Sequence, residues 1–269
     1  MNYKLIVLDM DDTLLSSKNE ILPSTIKALI DAQNNGAMVV LASGRPTGGM
    51  IDAALKLQLD KHRSYIISYN GAVVTKMNDH TVIDATYVEY SEFKEILQFL
   101  RKEDVMALTY KENKIYYEGQ SAYEQVEGEL TGLEMIKVDN LQDVITEDVP
   151  KVMGVGNIEL IQALNKQLDG NFGEDIHATT SKPFFLEFMH SNVSKGKVLR
   201  RLAEQLGIHQ SEIIAFGDSN NDKDMLEFAG LGVAMGNANA MIKEVADVIT
   251  LSHDEDGIAQ IIEEYILKK

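Results

Sequence analysis

The sequence predicts an α/β fold built on a parallel sheet, with a second α+β domain inserted into it. Three observations carry this. Short apolar runs alternate with helical stretches through residue 85 and again from residue 190, and each of the main runs stops abruptly at polar residues. Between about residues 86 and 189 the elements are more irregular. A chain of 269 residues, 45% of them apolar, is long enough for a core domain carrying a smaller one.

Leu5 to Leu8 is a run rich in branched residues that ends at Asp9, as a strand buried on both faces should. Pro23 sits where a first helical residue is favoured, and Ile26, Leu29 and Ile30 keep helical spacing until Gly36 closes the segment. Met38 to Leu41 is a second strand ending in Ser43-Gly44-Arg45-Pro46, and Met50 to Leu57 follows as a helix. Strand, helix, strand, helix implies parallel pairing. Tyr65 to Ser68 is a third strand, and Asn70-Gly71 ahead of Ala72 to Val74 signals a hairpin. The inserted region opens with a helix near Ser91 to Lys102 and strands near Val105 to Tyr110 and Lys114 to Tyr117. After it come a helix over Lys195 to Leu206, a strand over Ile213 to Phe216, and Asp224 to Phe228, Leu231 to Ala234 and Met241 to Val245 in the earlier rhythm. The expected division is a core over 1–85 and 190–269, and an inserted α+β domain over 86–189.

A formal net charge of -17 argues against nucleic acid or anionic membrane as partners, since both need a basic face. With no cysteine there is no disulfide, thiolate metal site or thiol catalysis, which fits a cytoplasmic protein. MNYKLIVLDM is too briefly apolar for a signal peptide or a membrane span. Any anionic substrate must find positive charge locally.

In open α/β sheets reactive groups collect at the carboxyl ends of strands. Three such ends here are polar: Asp9-Met10-Asp11-Asp12-Thr13, Ser43-Gly44-Arg45, and Gly217-Asp218-Ser219-Asn220-Asn221-Asp222. Asp9 and Asp11 stand two apart, so in an extended segment both carboxylates face one small volume. Their repulsion calls for a hard divalent cation such as Mg²⁺, and Asp218 is a third candidate carboxylate. A lone acid after a strand is ordinarily a turn or cap residue; two acidic clusters at separate strand ends are harder to dismiss. A calcium loop fails, because the position that needs glycine for its sharp turn is Leu14 in the first cluster and Lys223 in the second.

These clusters resemble the haloacid dehalogenase (HAD) superfamily, and within it the type IIB, Cof-like sugar phosphatases, whose cap domain is inserted after the third core strand. The first signature, D-x-D-x-T, reads Asp9 to Thr13. The second is Ser43 in Leu-Ala-Ser-Gly-Arg-Pro, and the third is Lys195 in Ser-Lys-Gly-Lys. The fourth is Gly217, Asp218, Asn221 and Asp222, followed by Met-Gly-Asn-Ala at Met235 to Ala238. One departure is Asp12, where the family more usually has glycine; an extra acid there would shift neighbouring pKa values.

The resemblance implies a Rossmann-like HAD core with a type C2 cap acting as a lid. It makes Asp9 a nucleophile that becomes an aspartyl phosphate and Asp11 the general acid and base. Mg²⁺ would be held by Asp9, Asp11 through its backbone carbonyl, and Asp218, with Asp222 as direct or outer support. Phosphoryl oxygens would be held by the Met10 and Gly44 amides, the Ser43 hydroxyl, Asn221 and Lys195. Arg45 is left open between substrate contact and a structural ion pair, and Lys197, Arg200 and Arg201 stay unassigned on a wet helix face. The implied substrate is a small phosphorylated metabolite, a sugar phosphate first, acted on by a monomer or weak homo-oligomer. A phosphomannomutase-like phosphomutase and a phospho-Asp sensor module are the alternative readings.

Overall fold

Four consecutive apolar residues form β1 (Leu5–Leu8), fully buried because both faces of the sheet are covered. A computed structural model describes residues 3–268 and divides them into two units: residues 3–84 with 194–268, and Ala85–Val193.

In the first unit β1 leads to α1 (Pro23–Asn34), opened by its proline and followed by Gly36 at φ +95°. Next come β2 (Met38–Ala42), a 3₁₀ turn over Thr47–Met50, α2 (Ile51–Lys56), β3 (Tyr65–Ser68), β4 (Val73–Lys76) and β5 (Val82–Ala85). The helix expected from Met50 to Leu57 is thus shorter and enters through the 3₁₀ turn.

The inserted unit contributes α3 (Tyr90–Lys102), β6 (Met106–Lys111), β7 (Lys114–Glu118), α4 (Val126–Thr131), β8 (Met135–Lys137), β9 (Val152–Val155), α5 (Ile158–Leu168), β10 (Asn171–Phe172), β11 (Ile176–Thr180) and β12 (Phe185–His190). Its sheet runs β10-β11-β12-β9-β6-β7-β8, antiparallel except for the parallel β7–β8 pair. Phe93, Ile96 and Leu97 of α3 and Ile161 and Leu164 of α5 share a core with Ala107, Val152 and Phe188 of that sheet.

The chain then returns to the first unit through α6 (Lys195–Leu206), β13 (Ile213–Gly217), α7 (Lys223–Phe228), β14 (Leu231–Ala234), α8 (Ala240–Val245), β15 (Val248–Ile249) and α9 (Gly257–Ile262). The sheet order is β15-β14-β13-β1-β2-β3-β4-β5, and every pair from β15 to β3 is parallel. Alternate residues feed opposite cores. Ile6, Leu8, Val39 and Phe216 pack with Leu29 of α1 and Ile258 of α9, while Leu5, Val7 and Ala215 pack with Leu199 of α6 and Met225 of α7.

β1 lies between β13 and β2, with Leu8 level with both Phe216 and Leu41. Chain order reverses at that point, which is where an open α/β sheet leaves a crevice beyond its strand ends. Asp9, Ser43 and Asp218 all emerge there. No helix among the described residues is long and apolar enough to cross a membrane.

Candidate active site

Asp9 follows β1 directly, and its N–H donates to the Phe216 carbonyl at 3.1 Å, extending the β1–β13 register by one step. Lys195 opens α6, whose N-cap Ser194 accepts from the Lys197 N–H at 3.2 Å. The Lys195 ammonium is fully buried and donates to Asp9 Oδ1 at 2.5 Å and Asp222 Oδ1 at 2.6 Å. The other Asp222 oxygen accepts the N–H groups of Asp218 and Ser219, each at 3.1 Å. Gly217 allows this tight return, because a Cβ there would lie 2.5 Å from that of Asp222. Asp218 Oδ1 accepts from the Thr13 hydroxyl at 3.0 Å.

Carboxylate oxygens of Asp9, Asp218 and Asp222 all lie within 4.8 Å of one another, and the Lys195 ammonium bonds two of the three. Burial, then Asp222, push the Asp9 carboxyl well above the usual carboxylate range, against the pull of Lys195. Asp218 is pushed up to about 7, again by burial and then Asp222, with Asp12 adding to the rise and the Thr13 hydrogen bond opposing it. Burial alone would lower the Lys195 pKa; Asp222 and Asp9 outweigh it and hold the ammonium above its ordinary value. An arrangement this rich in negative charge, built from hard oxygen donors, suits a divalent cation.

Asp11 corrects the expectation that two-residue spacing aims both acids at one volume. Past Asp9 the chain turns tightly, with the Leu14 and Leu15 N–H groups donating to the Asp9 and Met10 carbonyls. The Asp11 side chain, 56% exposed, lies outside the carboxylate cluster and takes Arg45 Nε at 3.0 Å and a second guanidinium nitrogen at 2.6 Å. The Met10 side chain packs in the core below. Asp12 is left-handed, at φ 59°, which explains why glycine suits this position; Asp is among the few other residues that tolerate it. Asn237 of the Met-Gly-Asn-Ala segment holds this turn, its amide donating to the Asp12 carbonyl at 2.7 Å.

Ser43 is buried, and its hydroxyl accepts from the Arg45 N–H at 3.1 Å. Asn221 is pinned at both ends: its carbonyl oxygen accepts from the Ser219 hydroxyl at 2.8 Å and its amide donates to Asn70 at 3.0 Å. Lys195, Asp9, Asp218 and Asp222 are thus brought together, with Ser43 at the neighbouring strand end. The residues that sequence reasoning did not place are Thr13, Arg45, Asn70 and Asn237. Thr13 and Asn237 lay inside the quoted signatures, whereas Asn70 read only as a turn.

The chain matches the haloacid dehalogenase-like hydrolase family over residues 6–262 and belongs to it. Within that family it is a phosphatase of the type IIB, Cof-like branch. It is 33% identical to YxeH of Bacillus subtilis (strain 168), provisionally named a phosphatase, over 99% of this chain and 100% of that one. A haloacid dehalogenase-like hydrolase solved from Bacteroides thetaiotaomicron is 35% identical, with a TM-score of 0.92 over 97% of this chain and 99% of the other. The HAD subclass IIB sugar phosphatase BT4131 superposes with a TM-score of 0.80 at 25% identity, over 97% and 98% of the two chains.

Proposed function

We propose that the enzyme hydrolyses small phosphorylated metabolites, sugar phosphates first among them, in a Mg²⁺-dependent reaction that passes through a phosphorylated Asp9. The observation that supports this best is the convergence of Asp9, Asp218 and Asp222 within 4.8 Å, with Lys195 bridging two of them. Asp9 and Asp218, with the Asp11 carbonyl, would hold the cation. Asp222, whose oxygens already accept three N–H donors, supports them from outside. When bound, the ion supplies the positive charge that offsets repulsion between carboxylate and phosphate.

Asp9 attacks phosphorus as the ester bond breaks, and Asp11 gives its proton to the departing oxygen. Asp11 then takes a proton from the water that cleaves the acyl phosphate, restoring Asp9 and releasing phosphate. Arg45 orients Asp11 through the two hydrogen bonds between them. The Ser43 hydroxyl, the Met10 and Gly44 amides, Asn221 and Lys195 hold the phosphoryl oxygens as charge shifts onto them. A sugar leaving group is proposed by likeness to BT4131, which is named a sugar phosphatase.

The test is phosphate release from a hexose 6-phosphate with Mg²⁺, with chelator, and with Asp9→Asn. Release that needs both metal and Asp9 is expected. Full turnover without either contradicts the mechanism, and hexose 1-phosphate formed in place of free phosphate would indicate a mutase.

A further inference from the structure

The turn between β3 and β4 is longer and more contorted than a hairpin requires. Four residues separate the closing pair Ser68 and Val73, where two suffice. Tyr69, Asn70 and Gly71 are left-handed in succession, at φ 51°, 55° and 112°. Glycine adopts this freely, asparagine tolerates it, and a tyrosine there is strained. Such a conformation persists only where its surroundings hold it.

What holds it is the phosphate side of the site. The Asn70 N–H donates to the Ser43 carbonyl and the Tyr69 N–H to the Arg45 carbonyl, each at 2.9 Å, so the turn continues the β3 edge around the Ser43–Arg45 segment. The Asn70 amide fills the space beside Gly44, where an added Cβ would meet it at 3.2 Å. Its Oδ1 accepts from Asn221, 151 residues away. At Gly71 a Cβ would come within 2.7 Å of the Ser194 carbonyl, so the missing side chain lets the turn lie against the N-cap of the helix that begins with Lys195.

We infer that Asn70 is a positioning residue for phosphoryl transfer: through its side chain it aims Asn221, and through its backbone it holds the Ser43–Arg45 turn. The Asn221 amide nitrogen carries two protons. Asn70 takes one and thereby directs the other toward the space a phosphoryl oxygen would enter. Because it acts through Asn221, its effect is coupled to that residue. The inference rests on the phosphatase reading, which Asp9→Asn tests separately.

The experiment is a double-mutant cycle on kcat/KM for p-nitrophenyl phosphate with Mg²⁺, using Asn70→Gly and Asn221→Ala. Asn70→Gly keeps the left-handed backbone at no steric cost and removes only the side chain. Each single change is expected to lower kcat/KM about 10-fold, as the loss of one hydrogen bond does, and the double variant to lie within about 3-fold of the weaker single. Orthovanadate inhibition should weaken in parallel with each loss. Asn70→Asp, which keeps the acceptor, supplies a second folded variant and should retain Asn221 coupling. A double variant about 100-fold down, the product of independent effects, would overturn the inference. So would full activity in Asn70→Gly, or a loss of thermal stability with kcat/KM per folded molecule unchanged.

Discussion

Lys195 and Lys151 are both buried lysines bound to carboxylates, one at the strand ends of the core unit and one in the sheet of the inserted unit. Lys151 donates to Glu187 at 3.1 Å, and Glu187 also takes the Ser181 hydroxyl at 2.6 Å. Glu127 lies one step further, with the Tyr110 hydroxyl donating to it at 2.6 Å, and burial holds its carboxyl above the ordinary range despite Lys151. Around Lys195 the acids do not spread in this way. They converge on one another, and among the described residues they form the single group of three within metal-ligand reach. Burial of charge is common to both regions; mutual approach of like charges is what distinguishes the site.

Several substitutions would break or sharpen that contrast. Asp9→Asn should have the largest effect, lowering kcat roughly 10³-fold or more as the loss of a nucleophile does, measured by phosphate release. Lys195→Met should lower kcat by roughly 10²-fold as well as thermal stability. Lys151→Met should cost stability of about 3–5 kcal/mol, the usual consequence of leaving one partner of a buried pair alone, with phosphate turnover within about 3-fold of the parent. If Lys151→Met abolished turnover while folding normally, the inserted pair would have to be counted as part of the reaction.

The pH dependence follows from Asp218. Its carboxyl is raised from 3.8 to about 7, so the folded protein binds that proton more tightly than the unfolded chain. Metal-free stability should therefore fall as pH rises between those values, and the raised Asp9 carboxyl acts in the same direction. Mg²⁺ takes the place of the proton, so its effect on Tm should be larger at pH 8 than at pH 5. Asp218→Asn should make this fall shallower, and a Tm that rises across this window without metal would contradict the assignment. The smallest effect is expected from replacing Lys151 and Glu187 together by Met and Leu, which should be near neutral because desolvation of a buried pair offsets most of its attraction.

Much of this was legible in the sequence because strands buried on both faces read as unbroken apolar runs. Leu5 to Leu8 and Ile213 to Phe216 announced themselves and delivered Asp9 and Asp218 at their ends. Lys195 was legible through its motif and its place at the start of a helix. What could not be read depends on tertiary approach or on backbone sign. Nothing local joins Asn70 to Asn221, and the Arg45–Asp11 pair depends on how the turn after Asp9 swings one side chain outward. The left-handed state of Asp12 looked like an unusual choice of residue until the turn gave its reason. In the inserted unit the helix expected near Ser91 to Lys102 is α3, but strand order was not legible, since β9 pairs with β6 and β12, neither of them its neighbour in the chain.

Titration of Mg²⁺ into the metal-free protein at pH 7.5, followed by calorimetry, asks whether the converging acids hold a divalent cation. One site per chain is expected, lost in Asp9→Asn and Asp218→Asn and kept in the Lys151→Met, Glu187→Leu double variant. Binding of the same stoichiometry and strength in all four proteins would place the cation elsewhere and contradict this account.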